Sequence, residues 1–137
     1  MKDYTFIDSN IWIYSFISND KDKHNRAKLF LKRSFKNNIV VISFQVINEV
    51  TCNLKKKNFS EQDIKDIIKS FMDSCIVCNF TEEILLKSSE LREKYKISFW
   101  DSLIITSSIG ANCKFLYSED MQNGLEIEGM KIINPFI

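Results

Sequence analysis

A chain of 137 residues with 45% hydrophobic and 27% charged residues has the size and balance of one globular domain with a single core, which excludes a disordered or fibrous protein. Three glycines and one proline leave little material for the turns of an all-β fold and point to regular elements with short connections. The formal net charge of +1 announces no general affinity for nucleic acid, so such a partner must be gripped by a local patch.

In chain order, Tyr4-Thr5-Phe6-Ile7 is a short apolar run with β-branched and aromatic members that stops on Asp8-Ser9-Asn10, the pattern of a buried first strand. Asp8 then has two readings. It stands at the carboxyl end of a strand, where open α/β sheets bind ligands, or it caps the following helix. Residues 11–16 are apolar and aromatic; core packing is the main use expected of Trp12, Tyr14 and Phe16, a protein interface the other. After the polar break Ser18-Asn19-Asp20, residues 22–36 read as a helix with Ala27, Phe30 and Leu31 inward and Lys28, Lys32, Arg33 and Lys36 outward.

Ile39-Val40-Val41-Ile42 is a second strand of the doubly buried type. Ser43 caps a helix reaching about residue 57, with Val46, Ile47, Val50 and Leu54 inward and Glu49 on the border of that stripe. Ser60-Glu61-Gln62-Asp63 fits a capping box for a helix carrying Ile64, Ile67, Ile68, Phe71 and Met72. A third strand over residues 75–80 precedes an amphipathic helix over 81–96. Ser98-Phe99-Trp100-Asp101 begins a helix through Gly110 that is apolar on most sides and is expected to be buried. Lys114-Phe115-Leu116-Tyr117 is a fourth strand ending on Ser118-Glu119-Asp120, and residues 130–133 are a fifth. This alternation predicts one α/β domain over residues 1–137, a three-layer α/β/α arrangement around a mostly parallel sheet of four to five strands.

Cys52, Cys75, Cys78 and Cys113 are read as reduced thiols, because a chain with this core needs no staples. The Cys75-Cys78 spacing suits a redox or zinc site, but it falls inside an apolar strand and lacks two further ligands. Lys2 and Asp3 precede a run too short for a signal-peptide core, and no stretch is long enough to span a bilayer, so a cytoplasmic setting without membrane attachment is expected.

Four acids carry the chemical interest. Asp8 and Asp120 each follow a strand, Glu49 borders the core stripe of one helix, and Asp101 lies near the start of another. Each has an ordinary use as a cap, a turn residue or a solvated edge. Together, two strand ends and two neighbouring helices can aim four carboxylates into one crevice. Such a cluster repels itself unless protonated or neutralised. Mg²⁺ or Mn²⁺ suits an all-oxygen site and can assist displacement at phosphorus.

At these positions the chain resembles a known family. Phe6-Ile7-Asp8-Ser9-Asn10, Asn48-Glu49-Val50, Phe99-Trp100-Asp101 and Tyr117-Ser118-Glu119-Asp120, with the ending from Ile127-Glu128-Gly129 to Asn134-Pro135-Phe136, look like a PIN-domain nuclease, most similar to the VapC type of toxin in bacterial toxin–antitoxin pairs. The resemblance implies a metal-dependent endoribonuclease with catalytic acids at Asp8, Glu49, Asp101 and Asp120. Asp8, Asp101 and Asp120 are expected to hold Mg²⁺ or Mn²⁺, Glu49 to orient or deprotonate the attacking water, and Asn10 and Ser118 to fix the ligands. Glu119 stands beside Asp120 as the other candidate for the fourth position. The resemblance also implies products with a 5′-phosphate and a 3′-hydroxyl, a homodimer, and a small antitoxin that inserts into or covers the site.

Lys55-Lys56-Lys57 and the Lys28, Lys32, Arg33, Lys36 face are either phosphate contacts or solvated helix surface. His24, the only histidine, is not expected to act as a base. Two rivals remain: a phosphatase using Asp8, against which the Asn at position 10 counts, and a receiver-like binding module that keeps the acids without turnover. Nothing in the chain reads a 2′-hydroxyl, so DNA stays open as a substrate.

Overall fold

The computed structural model describes residues 1–137 as a six-stranded sheet with six helices. The elements are β1 (Tyr4–Ile7), α1 (Ser9–Phe16), α2 (Lys21–Asn37), β2 (Ile39–Ser43), α3 (Phe44–Lys56), α4 (Glu61–Ser74), β3 (Ile76–Cys78), α5 (Glu82–Lys94), α6 (Phe99–Gly110), β4 (Phe115–Tyr117), β5 (Glu126–Ile127) and β6 (Met130–Ile133). The strand order is β3-β2-β1-β4-β6-β5, parallel throughout except for the β5–β6 pair.

β1 is central, pairing Phe6 with Val41 of β2 on one side and with Leu116 of β4 on the other. Both faces of the sheet are covered, which is why Val40, Val41, Ile42, Phe6 and Ile7 form continuous apolar runs. One helical group covers one face, with α1 packed on α2 and α3, and α3 on α4; α5 pairs with α6 in the other layer. Trp12 is held in the first group, its ring edge-on to Phe71 at 5.0 Å while its Nε1 donates to the Ile7 carbonyl at 3.1 Å.

The predicted architecture holds, with one strand more than expected. β5 and β6 form a two-residue hairpin through Glu128 (φ 49°) and Gly129 (φ 86°), the pair of positive φ values that a type I′ turn requires. The four cysteines are unpaired: Cys113 is buried, Cys75 and Cys78 half-buried, Cys52 exposed. Burial pushes the Cys75 and Cys113 thiols up to about 12, so neither is a poised redox nucleophile. No helix is long and apolar enough to cross a membrane. One expectation fails at the start of α6. Its body is buried from Ser102 to Ser108, yet Phe99 and Trp100 are 54% and 61% exposed.

Candidate active site

The chain leaves β1 toward β2 on one side and returns through β4 on the other. The crevice outside the carboxyl ends of β1 and β4 is therefore the point where the strand order reverses, the usual ligand position in an open α/β sheet. Asp8 and Ser118 stand at those two ends. The ladder continues into them, with the Asp8 N–H donating to the Tyr117 carbonyl at 2.9 Å and the Ser118 N–H to the Ile133 carbonyl at 3.0 Å.

Asp8 stands at the carboxyl end of β1 and caps the next helix at once. It is the N-cap of α1, with Oδ1 accepting from the Ser9 N–H at 2.8 Å, while Oδ2 accepts from the Ser118 hydroxyl at 2.9 Å. Burial nevertheless dominates and raises its carboxyl from 3.8 to about 6. The two hydrogen bonds oppose that rise, and the charges of Glu49 and Asp101 add to it. Those two charges, one on α3 and one on α6, thus act on the carboxylate at the end of β1.

Glu49 lies one and a half turns into α3, where Ser9 Oγ donates to its Oε2 at 2.7 Å and Gln45 Nε2 to its Oε1 at 2.9 Å. Asp101 is in the first turn of α6, its N–H donating to the Ser98 cap at 3.2 Å. The reciprocal half of a capping box is missing, so the Asp101 carboxylate is left without a hydrogen-bond or ion-pair partner. Asp120 is exposed and accepts from Asn10 Nδ2. Its neighbour Glu119 turns elsewhere, accepting from Tyr14 at 2.6 Å and pairing with Lys23.

A cavity of about 320 Å³ runs between α1, α3 and the β4 loop, lined by Ser9, Asn10, Tyr14, Glu49, Glu119 and Asp120 among others. Of the expected residues, Asn10, Glu49 and Asp120 line this cavity, and so does Glu119, the other candidate for the fourth acid, whose carboxylate is taken up by Tyr14 and Lys23. Asp8 lies buried behind Ser9, which bridges it to Glu49, and Asp101 does not line the cavity, being linked to Asp8 only through its charge. None of Asp8, Glu49, Asp101 and Asp120 is paired with a lysine or arginine. As oriented, no three acidic side chains close on one point as a ligand set. The donors are all hard oxygens, and a buried carboxylate beside two like charges favours a cation, so the chemistry of these residues, though not their orientation here, suits a divalent ion.

Sequence reasoning missed four contributors. Ser9 and Gln45 hold Glu49; Gln45 lies four residues before it, a spacing that brings helix side chains together, and this was the available signal. Tyr14 and Lys23 occupy Glu119 across more than ninety residues of chain, and no local pattern could reveal that.

Two kinds of likeness accompany this geometry. The family model described as the PIN domain matches residues 5–122, and the chain belongs to that family. Among solved structures, a toxin–antitoxin complex from Klebsiella pneumoniae contains a chain of the same fold at 21% identity and TM-score 0.71, covering 96% of this chain and 97% of that one. VapBC2 from Rickettsia felis, bound to a DNA fragment from its promoter, gives 21% identity and TM-score 0.68 over 94% and 96%. VapC20 from Mycobacterium tuberculosis, a toxin that cleaves the sarcin–ricin loop, gives 16% and 0.62 over 82% and 86%. No curated protein matches the chain.

Proposed function

We propose that this protein is a metal-dependent endoribonuclease of the VapC type, the toxin of a toxin–antitoxin pair, acting in the cytoplasm. The observation that carries the reading is the buried Asp8 after β1, unpaired with any cation and beside the charges of Glu49 on α3 and Asp101 on α6. PIN-family membership supports a nuclease, and the toxin–antitoxin complexes among its structural neighbours support an antitoxin partner.

Asp8, Asp101 and Asp120 are the residues to hold Mg²⁺ or Mn²⁺. Bound there, the ion supplies charge neutralisation at the phosphodiester and lowers the pKa of water. Glu49, exposed to the cavity and fixed by Ser9 and Gln45, orients the attacking water and accepts its proton. Ser118 holds Asp8, and Asn10 holds Asp120. Hydrolysis leaves a 5′-phosphate and a 3′-hydroxyl. Asn53 lines the cavity, and Lys56 follows it by three residues on the same helix, one turn along the same face, where it can meet a phosphate; Lys55 is occupied by Glu61 at 2.8 Å. A homodimer belongs to the same reading.

The test is hydrolysis of RNA, with DNA alongside, by purified protein with Mg²⁺ or Mn²⁺ and with chelator. Cleavage of RNA that needs the ion and disappears in Asp8→Asn, with circular dichroism unchanged, supports the proposal. Cleavage that persists in chelator refutes it.

A further inference from the structure

Charge is unevenly placed along the chain. α2 carries seven lysines and arginines against one acid, Asp22, so a protein of net charge +1 divides into a helix at +6 and a remainder at −5. Lys21, Lys28, Lys32, Arg33 and Lys36 are exposed, and none is paired with a carboxylate. Lys21, Lys28, Lys32 and Lys36 follow one another at spacings of seven and four, which puts them in one row, with Arg26 and Arg33 in a second. Ala27, Leu31 and Ser34 turn inward. At about 1.5 Å per residue the basic face is about 22 Å long.

A solvated helix face needs only polarity, and α4 meets that need with mixed signs, running Asp63, Lys65, Asp66, Lys69 and Asp73. On α2 like charges instead face each other four residues apart from Lys28 to Lys36, which destabilises a helix, and Lys21 and Lys23 sit at the positive end of the helix dipole. Stability alone does not select that segregation. The basic face also joins the acidic cavity. Tyr14 lines the cavity and stands edge-on to Phe136 at 5.5 Å, and the Arg26 guanidinium lies 5.9 Å from the same Phe136 ring. Lys23 reaches Glu119 of the cavity wall, and His24 Nδ1 donates to the Tyr14 carbonyl at 2.8 Å. α2 therefore starts at the cavity rim and carries its cations away toward the amino end of β2.

We propose that the exposed face of α2 is the docking track for the RNA backbone beyond the scissile bond. The inference rests on the nuclease reading of the cavity and adds to it where the rest of the substrate lies. Carboxylates at the cavity repel a polyanion, so cations outside it must hold the chain, and α2 supplies an unpaired row of them from the rim outward. Contacts from lysine and arginine to phosphate carry no base information, so the track gives affinity to any sequence. The apolar side of α2 is packed on α1 and is not free to enter lipid, which disfavours a membrane surface. An acidic polypeptide is the competing occupant.

The probe is a labelled, unstructured RNA of about twelve nucleotides, read by polarisation in chelator, which prevents hydrolysis, at about 50 to 200 mM KCl. The wild type is compared with the double variant Lys28→Gln, Lys32→Gln and with Lys65→Gln, Lys69→Gln, which removes the same charge from exposed positions of α4. Losing two phosphate contacts should make the slope of log affinity against log salt shallower by about 1.4 in the α2 variant, alike for A-, C- and U-rich sequences. The α4 variant should keep the wild-type slope. The α2 variant should melt at or above the wild-type temperature, because like charges have been removed, so weaker binding is not a loss of fold. In cleavage its KM should rise with kcat unchanged. Wild-type cleavage with the same slope and KM in all three proteins overturns the track and leaves the nuclease reading intact. Equal losses in the α2 and α4 variants also overturn it, since net charge and not place would then matter. Polyglutamate binding that the α2 variant weakens more than RNA binding assigns the face to an acidic polypeptide and overturns the track. RNA binding that depends on α2 without any cleavage supports the track and removes the nuclease reading.

Discussion

At Asp8 stability pulls against the ionised carboxylate that the proposed chemistry needs. Its carboxyl titrates near 6 in the fold against 3.8 when free. The fold therefore prefers the protonated form: this preference is fully present below about pH 4 and is lost as pH rises through 6. At pH 8 the ionised group costs about 3 kcal/mol. Asp8→Asn keeps the size and the acceptor for the Ser9 N–H, so its melting temperature at pH 8 should exceed that of the wild type. The gap should narrow as pH falls through 6 and close near 4. Melting curves of both proteins across that range test this, and a variant less stable than the wild type at pH 8 refutes the assignment of strain to this residue. Two positions at the other strand end also separate. Glu119 is occupied by Tyr14 and Lys23, whereas Asp120 is exposed at the cavity with only Asn10. Glu119→Gln is expected to cost about 0.5–1 kcal/mol of stability and to leave cleavage nearly unchanged. Asp120→Asn should lower cleavage by about tenfold or more. Initial rates measured side by side decide between them, and the reverse ranking would make Glu119 the fourth acid.

Among the elements, α6 shows both the reach of sequence reasoning and its limit. Its apolar run and the Ser98 signal correctly placed a buried helix with Asp101 in the first turn. The burial is polar as well as apolar, because Ser88 of α5 bonds Thr106 of α6 at 2.9 Å and Arg92 bonds Ser102 at 2.8 Å. Such pairing between helices has no local pattern. Periodicity also could not say that the first turn overhangs the layer, which is why Phe99 and Trp100 emerge into solvent. β5 escaped for a different reason. Its two residues are too few for an alternation to register, and its Glu128-Gly129 turn lacks the Asn or Asp that usually marks a type I′ hairpin. The long strands and capped helices were legible because each matches one period and one cap. Ser98→Ala removes the acceptor for the Asp101 N–H and should cost about 1 kcal/mol, read as a lower melting temperature. Because the same cap fixes the helix start that presents Asp101, cleavage should fall further than the lost stability alone predicts. A variant that melts earlier but cleaves normally would show that Asp101 is positioned by other contacts.

At the scale of the whole molecule, topology sets the charges of Glu49 and Asp101 against the buried Asp8 and puts Glu49 and Asp120 on one cavity, pairings that no local interaction could make. The reversal of strand order beside β1 opens the crevice, α3 carries Glu49 into its wall, and α6 carries the charge of Asp101 to where it acts on Asp8. The burial of Asp8 beside the charges of Glu49 and Asp101 is a standing cost that the fold tolerates without any lysine or arginine paired to these acids. A divalent ion that binds only the folded arrangement should convert that cost into stabilisation by linkage, about 2.7 kcal/mol when present at a hundredfold excess over Kd. For a domain of this size that corresponds to a rise on the order of 10 °C in Tm. The effect depends on ionised carboxylates. It should be full at pH 8, decline as Asp8 protonates through pH 6, and be nearly absent at pH 4.5. Thermal melts with Mg²⁺ or Mn²⁺, against KCl at matched ionic strength, measure it directly. In Asp8→Asn the baseline should be higher and the cation-dependent rise lost, since the variant has neither the buried charge nor the ligand. An equal rise in variant and wild type would place the ion elsewhere on the surface. The absence of any rise at pH 8 would mean that the four acids do not act as one site.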